Sequence, residues 1–124
     1  MTDEPKQGSY GHIELISTDP KKTQKFYENV FAWKFNPVPG MDYVMYETPG
    51  GDGGGVRVPD KGEHPTSVPY INVKSIDEIA KKIEKAGGKV LVPKQEVPGW
   101  GSMLVFQEPG GGVQAAWQSA PRQK

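Results

Sequence analysis

The sequence predicts an α+β fold: paired βαβββ modules forming a curved mixed sheet that encloses a cup, with the helices on its outer face. Three observations predict it. A strand-like run, a capped helix and a glycine-rich stretch with further strands occur from His12 to Val58, and again from Val68 to Trp117. The helix starts at Asp19 and Ser75 are separated by the same spacing as the strand positions His12 and Val68. Each helix pattern carries a single apolar stripe, so it covers one sheet face, and the opposite faces are sheltered only if the halves curve toward each other.

The elements follow in order. "YGHIELIS" (10–17) alternates as a strand, with Ile13 and Leu15 on one face and His12, Glu14 and Ile16 on the other. Asp19 is an N-cap whose carboxylate accepts from free amides of the first turn, and Pro20 suits the first helical position. Thr23, Phe26, Tyr27, Val30 and Phe31, at spacings of three and four, make the stripe of a helix over 20–32 that should lie on a sheet. Strands are expected at 33–38, 42–48 and 54–58, with turns at Pro39-Gly40 and "PGGDGGG". The polar segment 59–67 links the module at 10–58 to a second at 68–118. There the strand 68–73 precedes a capping box of Ser75 and Glu78. Ile76, Ile79, Ala80, Ile83 and Ala86 form the second stripe, Gly87-Gly88 ends the helix, and strands are expected at 89–93, 101–107 and 112–118. Residues 1–9 and 120–124 are expected to be frayed tails around one domain at 10–119.

Composition narrows the function. At 124 residues the chain makes one domain, and its 15 basic and 15 acidic residues cancel. A neutral balance lacks the basic footprint of a nucleic-acid binder. There is no cysteine, which excludes disulfides, thiolate nucleophiles and thiolate metal sites and fits the reducing cytoplasm. No apolar run approaches the length of a membrane span, and the opening residues have no hydrophobic signal core, so a cytoplasmic protein is expected. "GGDGGG" (50–55) is a turn, because no Lys-Ser/Thr or helix start follows it as a phosphate loop requires.

"GHIELISTDPKKTQKFYENVFAW" resembles the opening of the vicinal oxygen chelate superfamily, and "FQEPGGGVQAAWQ" resembles its closing strand. The resemblance covers about residues 9–119. It implies the paired βαβββ fold, a frequent homodimer, and relatives that include glyoxalase I, extradiol dioxygenases, fosfomycin-modifying enzymes and bleomycin-binding resistance proteins. In its metal enzymes, a divalent ion held by His and Glu side chains from both halves acts on the substrate as a Lewis acid.

Mapped onto this chain, the implied ligand set is depleted. His12 occupies the first-strand ligand position, but its counterpart in the repeat is Val68, and the last-strand glutamate position falls on Ala115. The strand at 54–58 offers Gly54, Gly55, Val56, Arg57 and Val58, none of them a metal ligand. No metal site is therefore expected, His12 being the sole family-position candidate. His12 is read instead as a cup histidine hydrogen-bonded to Glu14 or Tyr70. A carboxylate facing an enclosed cup pairs with a cation, titrates upward or contacts ligand, unless the cup stays wet, which makes Glu14 the candidate catalytic residue.

Tyr70, Ala115 and Trp117 have cup-facing parity, and Trp100 lies in a loop that closes over the ligand in relatives. With His12 and Glu14 they form the expected ligand-binding set, suited to a planar or hydrophobic small molecule. The expected function is glyoxalase/bleomycin-resistance-like small-molecule binding by a cytoplasmic homodimer, with no metal cofactor and neither nucleic acid nor membrane as partner. The alternative is a lyase, isomerase or dioxygenase-like enzyme, using a divalent metal or Glu14 as general base.

Overall fold

The computed structural model describes residues 6–121. The chain order is β1 (Tyr10–Ile16), α1 (Pro20–Phe31), β2 (Lys34–Pro37), β3 (Val44–Glu47), β4 (Gly53–Arg57), β5 (Thr66–Asn72), α2 (Ile76–Lys85), β6 (Lys89–Val97), β7 (Gly101–Gln107) and β8 (Val113–Ser119). Two compact units result, one spanning Gly11–Pro69 and the other formed, among the described residues, by 6–10 and 70–121. The same strand connections occur in both. In the first unit β1 runs parallel to β4, which pairs antiparallel with β3, and β3 with β2. In the second β5 runs parallel to β8, which pairs antiparallel with β7, and β7 with β6. The repeat read in the sequence is thus a repeat of topology, and the fold is α+β as expected.

Local chemistry sets both helices. The Asp19 side chain accepts from the Lys22 amide at 3.2 Å, and Pro20 occupies the first turn. Ser75 caps α2 through the Glu78 amide at 3.2 Å. The α2 exit is a Schellman turn: Gly87 has φ +95°, the Gly88 amide donates to the Ile83 carbonyl at 2.8 Å, and the Gly87 amide to that of Glu84 at 3.2 Å. Helix α1 ends instead on Ala32 at φ 61°, a left-handed residue that carries a Cβ.

The two helices differ in how they pack. Ile76 of α2 is fully buried with Leu104 and Ala116 of the sheet, and Val73, Ile79, Ala80, Ile83 and Phe106 close around them. Burial of this kind contributes about 1.5–3 kcal/mol per large aliphatic side chain. The α1 stripe departs from expectation: no residue of α1 is buried, and Phe26, Val30 and Phe31 are each about half exposed. Tyr27 makes the inward contact, stacking on Trp33 at 4.4 Å, which stacks on Tyr46 at 4.7 Å. The physical reason is the glycine run of β4. Gly54, in register with Ile13 on one side and Tyr46 on the other, puts no side chain into the sheet there, and the Tyr46 hydroxyl reaches the Ile13 carbonyl. Tyr46 donates to the Ile13 carbonyl at 2.7 Å, and burial pushes its phenol up to about 12, so it stays a donor.

Other boundaries shift slightly. Gly8 and Ser9 do not fray as expected: the Gly8 amide donates to the Asn72 carbonyl, and the Asn72 amide to that of Ser9, both at 2.7 Å. The parts of the expected tails at 1–5 and 122–124 lie outside the described residues.

Candidate functional site

The polar cluster of the first unit is assembled by strand register. His12 and Glu14 are two apart on β1 and so share a face. Glu14 lies opposite Gly55 on β4, and Ile16 opposite Arg57. The absent side chain at Gly55 leaves room for the Tyr43 ring, since a Cβ built there would overlap the Tyr43 hydroxyl and ring. Tyr43 comes from the turn before β3, where the Val38 amide donates to the Tyr43 carbonyl at 3.0 Å and the Met41 amide to that of Val38 at 3.2 Å.

Four side chains converge there. The Tyr43 hydroxyl donates to Glu14 Oε2 in a short hydrogen bond. With its proton committed, the phenol oxygen accepts from His12 Nε2 at 2.9 Å, and the same nitrogen lies 3.3 Å from Glu14 Oε2. Arg57 Nε donates to the other Glu14 oxygen, Oε1, at 3.4 Å. The Arg57 terminal nitrogens hold Glu63 as a fork, at 2.8 and 2.7 Å, and Glu63 Oε1 also accepts the Asp60 amide at 2.8 Å.

Electrostatics follow from this. Glu14 is 7% exposed, and burial works to raise its pKa. The hydrogen bonds from His12 and Tyr43, with the nearby His12 and Arg57, outweigh that and hold the carboxyl below the usual carboxylate range. The Arg57 hydrogen bonds lower Glu63 likewise. Glu14 is an ionised, hydrogen-bonded acceptor and, with its pKa down, a weak base.

Of the site residues expected from the sequence, His12 and Glu14 are brought together, 3.3 Å apart. Glu14 sits 3.4 Å from the Arg57 guanidinium, and its pKa is shifted down, not up. Tyr70, Ala115 and Trp117 belong to the second unit. There Tyr70 is opposite Ala115 in the β5–β8 register, both are buried, and Tyr70 meets Trp117 edge-on at 6.4 Å. Trp100 sits in the β6–β7 turn, 52% exposed, with its carbonyl accepting from the Ala120 amide. Tyr43, Arg57 and Glu63 were not anticipated. Arg57 is the one charged residue of the run 54–58, which is the signal that could have found it. Among the described residues, no three His, Cys, Asp or Glu side chains gather as a metal-holding group.

Comparison with known proteins places the chain in a family. The chain is 30% identical over 124 residues to the "Putative glyoxylase CFP32" of Mycobacterium bovis, covering 94% of this chain and 48% of that protein. It is 27% identical to "Anthracycline biosynthesis protein DnrV" of Streptomyces peucetius, covering 90% of this chain and 47% of that one. The chain therefore spans about half the length of these curated relatives. A crystal structure of a glyoxalase/bleomycin resistance protein/dioxygenase superfamily member from Vibrio splendidus 12B01 matches the fold with a TM-score of 0.63 at 14% identity, over 88% of this chain and 97% of that one. The family model for glyoxalase matches residues 9–114, and the chain belongs to the Glyoxalase/Bleomycin resistance protein/Dioxygenase superfamily.

Proposed function

We propose that this chain is a small-molecule-binding protein of the superfamily that works without the divalent metal of its metalloenzymes. One observation carries the reading: both oxygens of Glu14 are already engaged, one by Tyr43 and His12 and the other by Arg57. The residues present do not fit a catalytic divalent ion. A guanidinium 3.4 Å from the carboxylate repels a second cation, and a single imidazole does not hold one against water. The lowered pKa of Glu14 also argues against its acting alone as general base, which favours a value near the working pH.

The ligand class favoured here is a planar or hydrophobic molecule, met in the first unit by the polar cluster of His12, Glu14 and Tyr43. No helix among the described residues is long and apolar enough to cross a membrane. A homodimer in a reducing cytoplasm is the setting we favour, in keeping with a chain free of cysteine. The glyoxylase name of the 30% identical relative supports the competing reading, an enzyme, for which we consider a metal-dependent activity.

Metal analysis of protein purified without an affinity tag decides between them. We expect no stoichiometric nickel, zinc, iron or manganese, and tryptophan fluorescence that responds to members of an aromatic ligand panel. Stoichiometric metal that is lost in His12→Ala would overturn the proposal, as would silence across the whole panel.

A further inference from the structure

We infer that the hollow over Gly55 is a cradle for a phenolic ring, and that Tyr43 is the chain's own occupant of it, displaced when a ligand with an aryl hydroxyl binds. The inference rests on the small-molecule-binding reading above and names the ligand chemistry. The floor and one wall of the cradle are matched to a phenol. Its floor is backbone, because Gly55 has no Cβ and any added there would meet the Tyr43 ring. Its wall carries an ionised acceptor, Glu14, which takes the hydroxyl proton, and a donor, His12 Nε2, 2.9 Å from the hydroxyl oxygen. An aryl hydroxyl is one donor and one acceptor on a flat ring, and this set satisfies both at once.

Tyr43 is also placed to leave. It precedes β3, which begins at Val44, and its carbonyl is held by the Val38 amide at 3.0 Å, so the movement is one of the side chain. The turn that carries it, residues 39–42, is exposed, and Gly40 there has φ +78°. The Tyr43 side chain itself is partly exposed, so the rim of the cradle reaches solvent. Arg57 completes the device as a positioning residue: clamped by Glu63 at 2.8 and 2.7 Å, it keeps a positive charge beside Glu14 while the hydroxyl donor is exchanged.

The test uses p-cresol, the tyrosine side chain as a free molecule, and toluene, its counterpart without the hydroxyl. Isothermal titration should show Tyr43→Ala binding p-cresol about tenfold or more tighter than the unmodified chain does, because no internal ring competes. Tyr43→Ala should also prefer p-cresol to toluene by about tenfold or more, the worth of a hydrogen bond to a charged group, and adding Glu14→Gln should erase most of that preference. Tyr43→Phe keeps the ring and loses its anchor, so its p-cresol affinity should fall between the two; if Tyr43→Ala does not fold, this comparison decides. Equal affinity of the Tyr43 variants and the unmodified chain overturns the inference, as does toluene binding as well as p-cresol. A panel ligand that binds the unmodified chain and is not displaced by p-cresol in Tyr43→Ala sinks the cradle and leaves the binding function standing. Binding of p-cresol to Tyr43→Ala with no panel ligand for the unmodified chain supports the cradle and counts against the binding function.

Discussion

Arg57 lies 3.4 Å from the Glu14 carboxylate, a long contact, while both of its terminal nitrogens are committed to Glu63. The charge of Arg57 is therefore the lesser influence on Glu14, and the hydrogen bonds from His12 and Tyr43 are the greater. The first prediction follows directly. In a carbon-13 NMR titration, Tyr43→Phe should raise the Glu14 pKa more than Arg57→Gln does. The reverse order would mean that the cation, not the hydroxyl, keeps Glu14 ionised.

The second prediction concerns acid stability. The Glu14 pKa in the folded chain lies below the ordinary glutamate value of 4.5, so between the two values the unfolded chain binds more protons. The resulting stabilisation is fully present above about pH 4.5 and is lost as pH falls through the folded value. Glu63 acts with the same sign, though its greater exposure makes its share smaller. Urea midpoints should hold through neutral pH and drop below about pH 4.5, and Glu14→Gln should flatten that drop. An acid limb unchanged by the substitution would place the titrating group elsewhere.

The third prediction contrasts the helices. Ile76→Ala empties a site of 0% exposure against Leu104 and Ala116 and should lower stability by about 2–5 kcal/mol in urea. Phe31→Ala removes a ring that is 52% exposed and should cost about 1 kcal/mol or less. Comparable losses would show that the α1 stripe is covered in solution.

That contrast also marks where the sequence was legible. Caps are local, so Asp19, Pro20, Ser75 and Gly87 announced the helix ends from neighbouring residues alone, and the repeat announced the topology. The depth of α1 was not legible, because it depends on the stack of Tyr27, Trp33 and Tyr46 and on Gly54 beside Tyr46, which assemble only once the strands have paired. Within the site, His12 and Glu14 were readable because two positions along one strand share a face. Tyr43 was not, since it lies 29 residues from Glu14 and enters from a turn, where parity predicts nothing. Arg57 needed the parallel β1–β4 register before its distance to Glu14 had meaning.

The last prediction comes from the end of α1. Ala32 sits at φ 61° and ψ 30°, where its Cβ crowds the backbone at a penalty of about 1–2 kcal/mol. Gly87 takes the equivalent left-handed place after α2 and escapes that penalty. Ala32→Gly relieves the crowding but loosens the unfolded chain by about 0.4–1 kcal/mol, which leaves a net gain of about 0.5–1 kcal/mol. A domain of this size should then melt a few degrees higher, roughly 2–6 °C. Gly87→Ala should do the opposite, lowering the melting temperature by a similar amount, with its Cβ in ordinary contact 3.6 Å from Pro109 and only the backbone strained. If Ala32→Gly instead lowers the melting temperature, the residue is not left-handed in solution and α1 runs on past Phe31.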